Sequence, residues 1–313
     1  MIKKISIIGA GTMGHGIAHT FARFGCKVSL YDSFETSLSS APEKMRNELQ
    51  FMADAGYITA DDIEAALANI SLFSDLQEAV KDADYVIEAI PERMDLKKEL
   101  FANLDRMCPA HAVFATNTSS LKLSEMICDL PAARQKLCMV SHWYNPAYLI
   151  PLVELSCFDG MDQQAFEDVY ELYTRCDKQP IRVKKDIPGM IANRLLHSQA
   201  REVFYLLEQD AASPEDIDKA LKYGVSFRNA TTGMLECADM GGIDIWYAAE
   251  SNFFPYLADN KQPSPLMKQL VDEGSYGIKT GKGFYDYPAE ERDARQMAFY
   301  KRLMTQLKTS REY

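Results

Sequence analysis

Along residues 1–187, apolar and polar positions alternate in two rhythms. Short apolar runs read as strands: Ile5-Ser6-Ile7-Ile8, Lys27-Val28-Ser29-Leu30-Tyr31, Tyr85-Val86-Ile87-Glu88-Ala89, Val113-Phe114-Ala115, Cys138-Met139-Val140-Ser141 and Leu152-Val153-Glu154-Leu155. The amphipathic stretches between them, for example 36–53, 94–106 and 163–176, read as helices. This order predicts βαβ units and a parallel sheet. The stretch 36–69 is long for one crossover and contains Gly56-Tyr57-Ile58-Thr59, with Thr59 suited to capping a second helix, so it predicts a helical hairpin projecting from the sheet.

After Asp186-Ile187-Pro188-Gly189 the strand signals fade. Ile191, Leu195, Leu196, Val203, Leu206 and Leu207 follow helical spacing, and Ser213-Pro214-Glu215-Asp216 reads as a cap, a first-turn proline and an acidic first turn. The Pro-Gly pair divides the chain into 1–187 and 188–313, two domains of ordinary size.

Composition narrows the classes of function. With 34 Lys+Arg against 45 Asp+Glu, the net charge of −11 repels phosphate backbones and anionic bilayers, so neither nucleic acid nor a membrane surface is expected as partner. Seven cysteines (Cys26, Cys108, Cys128, Cys138, Cys157, Cys176, Cys237) form no CxxC pair and no zinc-ligand spacing. They read as reduced thiols of a cytoplasmic protein without a metal. No apolar run approaches the ~18 residues of a spanning helix. The start MIKKISIIGAGTMGHGIA superficially resembles a signal peptide, but its glycines have another spacing.

Gly9-Ala10-Gly11-Thr12-Met13-Gly14 follows the first strand and opens a helical pattern. Gly9 permits the turn, Gly11 lets backbone approach a pyrophosphate, and Gly14 lets helix pack on strand, with the pyrophosphate on the helix-start N–H groups. Gly9, Gly11, Thr12, Met13 and Gly14 are the candidate cofactor residues of this loop. Asp32, ending the second strand, is placed to accept from a ribose diol and to repel a 2′-phosphate, which favours NAD over NADP. Asp32 is equally able to start the turn Asp32-Ser33. A phosphate-loop reading of Gly281-Lys282 fails, because Tyr276 replaces the first glycine and Gly283 the required Ser or Thr.

Of five histidines, His15, His19, His111 and His197 read as packed or solvated side chains. His142 ends an apolar strand, and Glu154 lies within the apolar run Ile150–Leu155, where a charge is costly unless paired. If the two strands are neighbours, Glu154 accepts from one imidazole nitrogen and leaves the other to face a substrate hydroxyl, as an alcohol-oxidising base requires. A purely structural His–Glu pair fits the same spacing.

Several ordered blocks resemble the L-3-hydroxyacyl-CoA dehydrogenase family over essentially the whole chain. They are GAGTMG with Asp32; Ala89-Ile90-Pro91-Glu92 with Lys97; Asn117-Thr118-Ser119-Ser120; His142 with Asn145-Pro146 and Leu152-Val153-Glu154; Pro188-Gly189 with Ala192-Asn193-Arg194; and Gly277-Ile278-Lys279-Thr280-Gly281-Lys282-Gly283-Phe284-Tyr285. The resemblance implies an α/β fold: a Rossmann-type doubly wound sheet with the projecting hairpin, then an all-α C-terminal domain that dimerises. It implies His142 as base, Glu154 as its orienting partner, Ser119 as a donor near the substrate oxygen and Asn193 as a second polar contact. It also implies NAD contacts by Glu92, Lys97 and Asn117. Ser119 as a helix cap and Asn193 as an intrahelical hydrogen bonder remain open.

The chain departs from the family in three places. Phe51–Asp62 carries acidic residues and no lysine or arginine, where members acting on coenzyme A esters have a cation for its phosphates. Trp143-Tyr144 replaces two phenylalanines, and Ala147–Pro151 resembles the branch of L-gulonate 3-dehydrogenase, lambda-crystallin and carnitine dehydrogenase. Ser226–Glu236 replaces a Gly-Pro segment and brings in Arg228, a candidate fork for a substrate carboxylate or an ordinary surface arginine. The leading expectation is NAD-dependent interconversion of a 3-hydroxyl and a 3-keto group on a 3-hydroxyacyl-CoA. The alternatives are the same chemistry on a small free 3-hydroxy acid, and a non-catalytic NAD-binding structural protein.

Overall fold

The computed structural model describes residues 2–156, 158 and 160–312. Cys157 lies outside them, and the six other cysteines are free thiols. Eight strands, β1 (Lys4–Ile8), β2 (Lys27–Tyr31), β3 (Ile70–Phe73), β4 (Tyr85–Glu88), β5 (Val113–Thr116), β6 (Cys138–Trp143), β7 (Leu152–Ser156) and β8 (Gln179–Val183), form one sheet in the order β3-β2-β1-β4-β5-β6-β7-β8. Neighbours run parallel except β6 and β7, which are antiparallel.

The central strands are apolar on both faces because helices cover both. Ile7, Ile87 and Ala115 join the core beneath α1 (Gly14–Ala22), while Ile8, Val86 and Phe114 join a second core on the opposite face. The two strands not read from the sequence, β3 and β8, are the sheet edges. Ser71 and Leu72 of β3 are exposed, and β8 carries Pro180, which an edge strand tolerates, so neither shows the continuous apolar run of an inner strand.

The hairpin consists of α2 (Glu35–Asp54) and α3 (Ala60–Leu67). Thr59 caps α3 through a reciprocal box in which Asp62 accepts from the Thr59 N–H at 2.7 Å. The hairpin is anchored along its length: Leu38, Ala41, Met45, Leu49, Ile63 and Ala66 are buried in the core shared with α1.

The chain divides into compact units Met1–Ile191 and Ala192–Tyr313. Among its described residues the second unit contains only helices, short turns and two isolated bridges, Gly277↔Lys282 and Lys282↔Asp286. Ser213 accepts from the Asp216 N–H with Pro214 in the first turn, as its sequence indicates. Phe204 stacks on Phe284 with centroids 5.6 Å apart, and the Tyr285 hydroxyl donates to Asp218 at 2.7 Å. Many of this unit's large apolar side chains are exposed, Leu235 by 86% and Tyr256 by 79%. Among the described residues no helix is long and apolar enough to cross a membrane.

Candidate active site

The carboxyl ends of β1, β2, β4, β5 and β6 carry the candidate residues, the edge at which open α/β sheets bind ligands. After β1 the chain turns at Gly9, and a Cβ on Gly14 would lie 1.7 Å from the Gly9 carbonyl oxygen, so only glycine lets α1 start here. Gly11 differs, since a Cβ there would meet nothing within 4 Å. Its absent side chain therefore leaves room for a ligand and serves no packing need. No side chain caps α1, so its first N–H groups stay available to an anion. Thr12 is exposed and Met13 half-buried against the core. The loop thus fits a pyrophosphate.

The Asp32 carboxylate accepts from the Ala10 N–H and the Phe34 N–H, each at 2.8 Å. Both readings of Asp32 meet in this geometry: it starts the turn and it stands against the glycine loop. Its remaining lone pairs are available to a diol.

Behind the loop lies a network only part of which was read from the sequence. Lys97 of the helix Met94–Met107 is 1% exposed, and its ammonium sits 2.9 Å from both Glu88 and Glu92. Glu88, fully buried at the end of β4, also accepts from Thr116 at 2.5 Å and from the Ile90 N–H at 2.7 Å. Glu92 accepts from the Thr118 hydroxyl and from the Ser120 hydroxyl at 2.8 Å. Burial would raise the Glu92 carboxyl, but bonds from Thr118 and Lys97 outweigh it and hold it at about 2. Lys97 is therefore an internal counter-charge whose reach to a ligand passes through Glu92. Glu88 is not among the candidates drawn from the sequence, although a carboxylate ending an apolar strand is itself a signal. Asn117 accepts from the Trp143 N–H at 2.8 Å, tying the end of β5 to β6.

His142 and Glu154 are direct partners across β6 and β7. His142 Nδ1 lies 2.8 Å from Glu154 Oε2, and Glu154 Oε1 accepts from the Ile191 N–H at 2.9 Å. An ionised carboxylate only accepts, so Nδ1 carries a hydrogen and Nε2 is the nitrogen left to exchange a proton with a ligand. Tyr144 lays its ring 4.8 Å from that of His142; burial, and next the Glu154 charge, push its hydroxyl up to about 12. Beneath the loop 144–151 the Lys178 ammonium donates to the carbonyls of Ala147 (2.5 Å) and Ile150 (2.9 Å), over the Trp143 ring. Burial pushes Lys178 down to about 7.

Ser119 is half-buried in the loop after β5, and its carbonyl accepts from the Gly189 N–H at 3.2 Å. Asn193 and Arg228 belong to the second unit: Asn193 is half-buried in the first turn of the helix Ala192–Glu208, and Arg228 is exposed on Ser226–Asn229.

Comparison with known proteins bears on the family of the chain. Residues 4–187 match the family model of the 3-hydroxyacyl-CoA dehydrogenase NAD-binding domain, and residues 189–287 that of its C-terminal domain. A probable 3-hydroxybutyryl-CoA dehydrogenase of Bacillus subtilis is 35% identical over 287 residues, covering 91% of this chain and 98% of that protein. A 5-formyl-3-hydroxy-2-methylpyridine 4-carboxylate 5-dehydrogenase of Mesorhizobium japonicum is 29% identical over 296 residues, 95% of this chain and 94% of that protein. Among solved structures, one of an NAD+-dependent enzyme of the latter activity superposes with a TM-score of 0.90 at 27% identity, covering 99% of both chains. The (S)-3-hydroxybutyryl-CoA dehydrogenase of Ralstonia eutropha gives 0.74 at 31% identity, covering 92% of this chain and all of that one. NAD is the cofactor of this domain, and the chemistry is that of a dehydrogenase acting on a secondary alcohol. With both family domains present in order, the chain belongs to the 3-hydroxyacyl-CoA dehydrogenase family.

Proposed function

We propose that this protein interconverts the 3-hydroxyl and 3-keto groups of a 3-hydroxyacyl-CoA, with His142 as base and Glu154 as its orienting partner. The observation that carries this reading is the Nδ1–Glu154 bond, which leaves Nε2 as the basic nitrogen. NAD, when bound, supplies the hydride acceptor. His142 Nε2 takes the hydroxyl proton, and buried Glu154 stabilises the imidazolium that results. Asp32 holds the adenosine ribose and excludes a 2′-phosphate, Glu92 and Asn117 line the cofactor side, and Ser119 and Asn193 contact the substrate. Turnover of 3-hydroxybutyryl-CoA, followed by nicotinamide absorbance, is the test; turnover confined to free hydroxy acids overturns it.

A second reading, the same chemistry on a small free acid, is favoured by the hairpin. Phe51–Asp62 offers Asp54, Asp61 and Asp62 and no cation, and Arg46 further back is paired with Glu64 at 2.5 Å. The high superposition on a pyridine-carboxylate dehydrogenase supports the same reading, in which Arg228 takes the carboxylate. An Arg228→Ala variant with unchanged affinity for every free acid turned over removes that role.

We further propose a homodimer built through the second unit, whose Leu235, Met240, Tyr247 and Tyr256 are each at least 74% exposed and offer apolar surface to a second copy. Free thiols at six described cysteines support a reducing, cytoplasmic setting. A monomer by light scattering overturns the first proposal.

A further inference from the structure

Two histidines one turn apart on α1 share a single carboxylate. His15 Nε2 lies 3.1 Å from Glu48 Oε1, and His19 Nε2 lies 3.0 Å from Glu48 Oε2. His15 has a second partner, for its Nδ1 lies 2.6 Å from the Gly11 carbonyl oxygen. A carbonyl oxygen only accepts, and so does an ionised carboxylate, so an imidazole held between them carries hydrogen on both nitrogens and is a cation. His19 has one acceptor, and its buried Nδ1 has no partner, which makes it the neutral member.

The electrostatics agree. Burial opposes charge on His15, but Glu48 and the Gly11 carbonyl outweigh it and raise the imidazole above its ordinary value. Burial likewise opposes ionisation of Glu48, yet the two imidazoles hold its carboxyl below the usual range. His19, wholly buried, is held below its ordinary value. The charged and titratable groups facing His15 are Glu48 and Lys44 from α2 and His19 from α1; Arg23 acts on His19.

The partner of His15 is what matters. Gly11 is the loop residue with open space where its side chain would be. A peptide is planar and trans, so pinning the Gly11 carbonyl towards α1 fixes the Thr12 N–H on the opposite side of the same plane. We propose that His15 and Glu48 are positioning residues for the cofactor: the imidazolium, held by Glu48, locks the Gly11–Thr12 peptide, so that NAD affinity depends on a proton bound at His15. When that proton leaves as pH rises, one of the two bonds is lost and the loop loosens. Affinity then falls with rising pH.

Fluorescence titration of the full chain with NADH across pH 6–9 tests this. The unaltered protein loses about 5- to 10-fold in affinity across its transition, the effect of one charge-assisted bond. In Glu48→Gln the transition moves to lower pH; in His15→Gln it disappears, with kcat at saturating NAD within about twofold in both. His19→Gln, which leaves the Gly11 bond untouched, keeps the wild-type profile. A transition that persists unmoved in His15→Gln and Glu48→Gln overturns the proposal. Should either variant fail to fold, nitrogen NMR of the unaltered protein decides: His15 protonated on both ring nitrogens near pH 6.5 sustains the proposal, and a neutral tautomer overturns it.

Discussion

His142 and Glu154 are separated by twelve residues in the chain and face each other directly across an antiparallel strand pair, Nδ1 to Oε2 at 2.8 Å, the carboxylate fully buried. His15, in the same unit, stands between two acceptors where His142 has one. Two acceptors require hydrogen on both nitrogens, whereas one acceptor leaves the second nitrogen able to gain or lose a proton.

Replacing His142 by Gln removes the basic nitrogen while leaving the glycine loop and Asp32 intact. Turnover falls by about 10²–10⁴-fold, the usual contribution of a positioned base. NADH affinity stays within about twofold, since the loop and its helix start are undisturbed. Steady-state assays beside NADH fluorescence check both, and turnover near wild type sinks the assignment.

Glu154→Gln offers one oxygen where two N–H groups, from His142 and Ile191, now donate. Either the Ile191 N–H loses its acceptor or His142 turns to the tautomer with hydrogen on Nε2, the nitrogen meant to take the proton. A fall in kcat of about 10²-fold or more is expected, with cofactor affinity retained. A kcat within about threefold of wild type would remove Glu154 from the chemistry.

Two glycine changes separate packing from binding. Gly11→Ala places its methyl in open space, so the melting temperature holds within about 1 °C while NADH affinity falls about tenfold or more. Gly14→Ala would bring a methyl to 1.7 Å from the Gly9 carbonyl, and it destabilises the fold by several kcal/mol, of order 3. Thermal melts and NADH titration of both variants distinguish the roles; equal melting losses would refute the division.

Lys178 gives stability a pH dependence of defined sign. Its ammonium sits at about 7 when folded and near the ordinary 10.5 when unfolded, so between these values the unfolded chain holds a proton that the folded chain lacks. Stability therefore rises with pH across that window, by about 1.4 kcal/mol per unit from this group alone, and the penalty is complete below about 7. In Lys178→Met this slope vanishes, and the carbonyls of Ala147 and Ile150 lose their donor. Chemical denaturation at pH 7.5 and 9.5, wild type minus variant, measures it; a zero difference in slope rejects the account.

Much of this was legible along the chain. A charge inside an apolar run is costly unless paired, which marks Glu154 and makes His142 its partner if their strands are neighbours; the antiparallel β6–β7 pairing places the two directly opposite. Thr59 announced its cap because capping is local. His15 looked like an ordinary packed histidine, since its meaning comes from Glu48, which lies 33 residues away on another helix. Lys97 enters from the sequence only through the family resemblance, as a cofactor contact, and folding encloses its ammonium between Glu88 and Glu92. The edge strands β3 and β8 carry mixed patterns because, among the described residues, one side of each pairs with no other strand.

The antiparallel step from β6 to β7 has a consequence for assembly. The connection 144–151 is short, so bringing His142 to Glu154 closes a small loop at low entropic cost and needs no crossover helix. The dyad is therefore a self-contained excursion of the chain. Circular permutants opened on the far side of the sheet, for instance at the exposed turn Phe24-Gly25 between α1 and β2, keep the two residues on one continuous ribbon. A permutant opened between Tyr144 and Pro151 turns the same meeting into a long-range event and forfeits the local advantage.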